Sequence, residues 1–163
     1  MKFTVIYFSK DGHTKEMADE VVKGASKVKK IEAKAFSLDE IDKDFVDESK
    51  CVVFGTPVYH AGICWQMKKW FNEESKDYNL EGKLGGAFAT AAFVQGGLNT
   101  ACLELTQLML VKGIMVYSSG SALGQPFLHI GATSINENSE RDKMQFISLG
   151  ERLANKVVNI FND

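Results

Sequence analysis

A six-residue polar loop near the N-terminus separates two apolar patterns of different period. The apolar run Phe3–Phe8 before it has the composition of a buried strand. After it, apolar contacts recur at helical spacing, at Thr14, Met17, Ala18, Val21, Val22 and Ala25. The loop Ser9–Thr14 therefore joins a strand directly to a helix, which is the building unit of α/β folds.

The same corner has the chemistry of a phosphate site. Hydroxyl groups stand at both ends of the loop, on Ser9 and Thr14, and Gly12 lies inside it. The first N–H groups of a helix lack partners within the helix, and the positive end of its dipole favours anions. The alternative is a helix start capped by Asp11 or Ser9, since both residue types are good N-caps.

The rest of the chain continues the alternation of strands and helices. Further strands are predicted at Ile31–Phe36, Cys51–Phe54, Gly86–Phe93 and Ile114–Tyr117. Further helices are predicted from near Leu38 with Ser37 or Asp39 as cap, at about 64–74, after Gly97, and at about 139–161. Five strands alternating with five helices, without a domain break, predict one α/β domain over residues 1–163 with a parallel sheet. The segment Ser118–Asn138 is too long for an ordinary connection, so we expect it to be functional or to form an oligomer contact.

Composition excludes several classes of protein. The formal net charge of −2 and a pI near 5.9 do not predict binding to nucleic acid or to an anionic membrane surface. No apolar stretch approaches the roughly 20 residues that span a bilayer, and no secretory signal is visible, so a cytoplasmic protein is expected. Cys51, Cys64 and Cys102 contain no C-x-x-C pair, so neither a disulfide framework nor a metal site is predicted.

Three loops at the expected carboxyl ends of strands have an unusual composition. They are Ser9–Thr14, Thr56–Gly62 and Thr90–Gly97. Ligands of open parallel sheets bind at this edge. Hydroxyls, backbone amides, aromatic rings and glycines in these loops suit a ligand that is phosphorylated, planar and aromatic.

These loops resemble those of the flavodoxin-like family, most closely its branch of NAD(P)H:quinone oxidoreductases and related FMN reductases. The family's phosphate loop has Ser or Thr at its first, third and sixth positions and Gly at its fourth. Ser9, Gly12 and Thr14 match this pattern, whereas Asp11 departs from it. Similarity to the second and third FMN loops, and to the helix behind the second, is found in Gly55–Tyr59, Gln66–Lys68, Phe71 and Gln95–Gly97.

The resemblance implies a three-layer, doubly wound, five-stranded parallel sheet of order 2-1-3-4-5, with FMN across the ends of strands one, three and four. Asp11 then places a carboxylate near the phosphate dianion unless it turns outward or pairs with Lys10. The implied cofactor-binding residues are Ser9, Lys10, Asp11, Gly12, His13, Thr14, Pro57, Val58, Tyr59, His60, Ala61, Thr90, Ala91, Ala92, Phe93, Gly96 and Gly97.

Side chains for a second substrate are few. Tyr59 is expected beside the ring, and His129, in the long segment, is a candidate on the substrate side. His60 is as readily a solvent-exposed residue as a ring contact, and a buried, inert Cys64 is favoured over a redox-active thiol. None of these residues has a partner group that would make it a nucleophile, so no catalytic residue is predicted.

Two functional classes remain, with a third left open. The preferred hypothesis is an enzyme that passes hydride from NAD(P)H through FMN to a quinone or similar small acceptor, because Thr56–Gly62 and Thr90–Gly97 contain no acidic residue. The alternative is a flavodoxin-type one-electron carrier that docks on redox proteins. An FMN module of a larger redox system is the third. The acceptor and the choice of NADH or NADPH stay open, and a homo-oligomer is possible.

Overall fold

The structure, a computed structural model, describes residues 1–135 and 139–161. Its strands are β1 (Lys2–Tyr7), β2 (Glu32–Ser37), β3 (Ser49–Tyr59), β4 (Gly62–Ile63), β5 (Leu84–Ala91), β6 (Met115–Val116) and β7 (Ala132–Ile135). Its α-helices are α1 (His13–Ala25), α2 (Lys43–Glu48), α3 (Trp65–Glu73), α4 (Leu98–Val111) and α5 (Glu140–Phe161). Short 3₁₀ turns occupy Ser75–Asp77 and Val94–Gly96.

The main sheet is parallel and has the order β2-β1-β3-β5-β6. With the short β4 set aside, since it forms only an antiparallel hairpin with β3, this is the expected order 2-1-3-4-5. The predicted fold class is confirmed. Because the first, third and fourth strands of this order end side by side, the loops that follow them meet at one edge of the sheet.

The fifth position of the sheet is filled by two separate strands. Met115–Val116 pairs with the start of β5, and Ala132–Ile135 pairs with its end, both in parallel. The chain leaves the sheet between them, so the predicted long loop ends in a strand that the sequence pattern did not show. Asn136–Asn138, the last part of that predicted loop, lie outside the described residues.

Arg152 of α5 forms hydrogen bonds with the segment between β6 and β7. The Arg152 guanidinium donates hydrogen bonds to the carbonyl oxygens of Pro126 (2.9 Å), Gln125 (3.1 Å) and Gly124 (3.2 Å). These are charge-assisted bonds from a planar, five-donor group. Arg152 therefore holds this excursion of the chain against the helix.

Alternating residues of the strands feed two apolar cores, one on each face of the sheet. Phe3, Val5 and Val53 pack with α1 and α5, whereas Ile6 and Phe54 pack with α3 and α4. The period of two follows from the pleat of a strand. Helices on both faces make the fold three-layered, which leaves the strand ends as its open edge.

Helices α1 and α5 approach each other at two glycines. A Cβ atom added to Gly24 would lie 2.0 Å from the carbonyl oxygen of Ile147. One added to Gly150 would lie 2.0 Å from the carbonyl oxygen of Val21. Only glycine allows this close backbone contact, which sets the position of α1 and of the loop before it. Among the residues that the structure describes, no helix has both the length and the apolar character to cross a bilayer.

Candidate cofactor site

The loop after β1 leaves the N-terminus of α1 open. Gly12 is the N-cap with φ of +91°, a left-handed conformation that glycine adopts without strain. Its N–H donates to the Ser9 hydroxyl at 3.2 Å, and no side chain caps the helix. The alternative of a helix capped by Ser9 or Asp11 is therefore not what the structure shows. The free first-turn N–H groups of α1 face the loop, as in anion-binding helix starts.

A buried pair of hydroxyls joins this loop to the end of β5. The Oγ1 atoms of Thr14 and Thr90 are 2.8 Å apart. Each hydroxyl has one donor and two acceptor lone pairs, so the pair retains capacity for a further hydrogen bond. The contact ties the first and third predicted loops together.

A cavity of about 150 Å³ lies between the three loops. Every residue that lines it belongs to the set predicted from the sequence. They are Ser9, Lys10, Asp11, His13, Thr14, Pro57, Val58, Tyr59, Thr90, Ala91 and Ala92. The structure therefore brings the three loops to one place, around a cavity lined by hydroxyl-bearing residues, backbone and the aromatic residue Tyr59.

The second loop is a tight hairpin turn between β3 and β4. Its two central residues, His60 and Ala61, have φ of 51° and 67°, as a two-residue type I′ turn requires. Non-glycine residues at positive φ cost about 1–3 kcal/mol and persist only when neighbouring structure holds them. At the base of the hairpin the Thr56 hydroxyl accepts the N–H of Cys64 at 3.1 Å and donates to the Pro57 carbonyl at 2.8 Å.

The third loop packs directly on the second. Gly97 has φ of +97°, and an added Cβ would lie 2.5 Å from the carbonyl oxygen of Ala61. Gly97 therefore permits the contact between the two loops. Phe93, in the same third loop, is 74% exposed, and Gly96 lies against the side chain of Ala91. Six of the predicted cofactor-binding residues lie in these loops but do not line the cavity: Gly12, His60, Ala61, Phe93, Gly96 and Gly97.

Burial is the main influence on the ionisation of Tyr59 and Cys64, at the two ends of the second loop. Burial raises the pKa of the Tyr59 phenol, with smaller contributions from Cys64 and from the Asp11 carboxylate. Burial likewise raises the pKa of the Cys64 thiol, and the Thr56 hydroxyl, 3.4 Å from its sulfur, opposes this shift. Cys64 is fully buried, as the preferred interpretation expected, and its inertness stays a prediction. Within the described ranges, no cluster of side chains suits a metal ion.

The structure differs from the sequence prediction at two side chains, those of His129 and Glu104. His129 lies on the excursion between β6 and β7, where it lines a separate cavity of about 390 Å³ with Phe127, Arg141 and Met144. The structure does not bring it to the three loops. Glu104 of α4, which no sequence pattern indicated, does reach the second loop: its carboxylate accepts the Ile63 N–H at 2.8 Å. Its place in a helical pattern gave no sign of this contact.

Comparison with known proteins decides the family. The sequence profile described as "Flavodoxin" matches residues 5–107. A flavodoxin of Clostridium saccharobutylicum is 45% identical over 161 residues, which cover 99% of this chain and 100% of that protein. The chain belongs to the flavodoxin family. The WrbA-like flavodoxin of Agrobacterium tumefaciens has a similar structure, with a TM-score of 0.81, 26% identity, and coverage of 97% of this chain and 98% of that one.

The preferred enzyme hypothesis is wrong on this comparison. An NAD(P)H dehydrogenase (quinone) of Geobacter sulfurreducens is only 24% identical, over 84% of this chain and 78% of that protein. The full-length match at 45% identity is to a flavodoxin. The enzyme hypothesis was based on the lack of acidic residues within Thr56–Gly62 and Thr90–Gly97. Packing adds a carboxylate from outside these loops, that of Glu104, which accepts the Ile63 N–H directly after the second loop.

Proposed function

We propose that this flavodoxin-family protein binds FMN at the strand ends and carries single electrons between redox proteins. The observation that carries the proposal is the cavity between three loops, with an uncapped helix N-terminus and hydroxyls at one end. Membership of the flavodoxin family favours a carrier over a quinone-reducing enzyme. The substrate roles expected for Tyr59 and His129 belonged to the enzyme hypothesis and have no place in this one.

The residues present fit a phosphate at the start of α1. Nothing lies within 4 Å of a Cβ added to Gly12, so the backbone there is open to a ligand. Ser9 and Thr14 supply hydroxyls, and the first-turn N–H groups of α1 supply further donors. This donor set matches the hydrogen-bonding capacity of a phosphate, and the positive end of the helix dipole favours its negative charge.

When bound, FMN supplies a ring system that accepts and releases electrons one at a time. The backbone of Pro57–Ala61 and of Ala91–Phe93 would line that ring. Phe93 and Val94, which are 74% and 72% exposed, provide an apolar surface beside it. Exposed apolar residues next to a cofactor suit transient docking of a partner protein.

The test of the carrier function is anaerobic reduction of the FMN-loaded protein. NADH and NADPH are expected to leave the flavin absorbance unchanged, whereas dithionite reduces it in two resolved one-electron steps. Free FMN under the same conditions is the control. Direct bleaching by either nicotinamide, followed by turnover with a quinone, would overturn the carrier proposal.

Asp11 should weaken FMN binding modestly. It is an exposed carboxylate on the wall of the cavity, so Asp11→Thr is expected to tighten FMN binding by about two- to fivefold at low salt, because exposed charge pairs are worth roughly 0–1 kcal/mol. Fluorescence titration measures the Kd. Lys10→Gln, which removes the opposite charge from the same loop, should weaken binding. A clear loss of affinity in Asp11→Thr would show that the carboxylate orders the loop.

A further inference from the structure

The second loop is held from outside by a helix distant in sequence. Glu104 projects from α4 and accepts the Ile63 N–H at 2.8 Å through Oε2. A Cβ added to Gly62 would lie 3.0 Å from Oε1 and 3.1 Å from Oε2 of the same carboxylate. The carboxylate therefore packs along the whole of the two-residue strand β4, and Gly62 leaves the space for it.

The turn Tyr59–Gly62, next to the Glu104 contact, needs support from neighbouring residues. His60 and Ala61 both have positive φ without being glycine, so the turn is strained. β4 pairs with β3 at only two positions, Val58 with Ile63 and Tyr59 with Gly62, which is too short a ladder to fix a strained turn alone. Thr56 supports the base of the hairpin, and Gly97 packs against one side of its turn. Glu104 contacts the outer strand of the hairpin, β4.

The turn also stands between two cavities. Tyr59 lines both the 150 Å³ cavity between the loops and a larger one of about 850 Å³ between α3 and α4. Glu104 lines only the larger one, so it lies behind the turn as seen from the candidate cofactor site. A side chain behind the turn influences a cofactor in the site through the loop, without contacting the cofactor.

We propose that Glu104 is a positioning residue, which fixes the turn Tyr59–Gly62 against the FMN ring by accepting the Ile63 N–H. The inference rests on the proposed FMN site for its effect on the cofactor. Its structural part, the restraint of the turn by a hydrogen-bond acceptor on α4, stands without the cofactor. An acceptor at this position is what matters, so glutamine should replace glutamate where alanine cannot.

Amide hydrogen exchange on the FMN-free protein tests the structural part. Glu104→Ala is expected to speed exchange of the Ile63 amide by about tenfold or more, because the bond to a charged acceptor is lost. Glu104→Gln should restore at least half of the logarithmic change. Glu73→Ala is the matched control, since Glu73 is a carboxylate on the same cavity but on α3. Unchanged exchange in Glu104→Ala, or equal acceleration in the glutamine variant, would overturn the proposal.

The midpoint potential of the first one-electron step tests the link to the cofactor. Glu104→Ala is expected to raise the Kd for FMN about fivefold and to shift this potential, with Glu104→Gln closer to the unsubstituted protein and Glu73→Ala unchanged. A potential unaltered in Glu104→Ala would contradict the link. If the unsubstituted protein binds no FMN, the proposed function fails, while amide exchange still decides the role of Glu104.

Discussion

Replacing both Ser9 and Thr14 by alanine is expected to weaken FMN binding by at least a hundredfold. Each hydroxyl is placed at the open N-terminus of α1, and Thr14 is only 2% exposed. A hydrogen bond to a charged group contributes about 1.5–3 kcal/mol, and two such bonds together exceed the roughly 2.7 kcal/mol that a hundredfold change requires. Fluorescence titration of the FMN-free protein measures the Kd directly.

Two controls separate phosphate binding from folding. Thr14→Ser keeps a hydroxyl that reaches Thr90, and it should retain most of the affinity for FMN. Riboflavin, which lacks the phosphate, should bind the unsubstituted protein weakly and be little affected by the double substitution. Equal binding of FMN and riboflavin would remove the phosphate from this site. An unchanged Kd in a folded double variant would rule out these two hydroxyls as ligands.

Gly24→Ala is expected to destabilise the protein by about 3 kcal/mol and to lower its Tm by roughly 6–12 °C. The new methyl would lie 2.0 Å from the Ile147 carbonyl oxygen, and backbone cannot yield as a flexible side chain does. Alanine is the better helix former by about 1 kcal/mol, so propensity alone predicts the opposite sign. Urea unfolding at constant protein concentration measures the free energy of unfolding.

Lys23→Ala is the matched control for this glycine. Lys23 precedes Gly24 on α1, is exposed, and forms an ion pair with Glu20. Its replacement should change the free energy of unfolding by less than about 0.5 kcal/mol. If Gly24→Ala proves as mild as this control, the contact between α1 and α5 is not as tight as the structure shows.

Local sequence patterns predicted a helix or strand correctly where its own residues determine its bounds. They were less reliable where contacts with neighbouring elements select among several candidate residues. The helix after β2 was predicted from near Leu38, with Ser37 or Asp39 as cap. It begins at Lys43, where the Asp42 carboxylate accepts the Phe45 N–H at 3.0 Å. Ser37 was not free to act as a cap, because it still pairs with Tyr7 in the sheet. Several residues had the right chemistry for a cap, and strand pairing removed Ser37 from among them.

The sequence by itself determined the alternation of strands and helices, the parallel sheet order through family resemblance, and the three loops that line one cavity. These follow from periods of two and 3.6 and from residues close together in the chain. Tertiary structure alone decided that Thr14 meets Thr90, that β7 completes the fifth position of the sheet, and that Glu104 supports the second loop. Such contacts join residues tens of positions apart, and they depend on how helices pack on the sheet. No local pattern encodes that packing, so the loop sequences alone gave no sign of the Glu104 carboxylate beside the second loop.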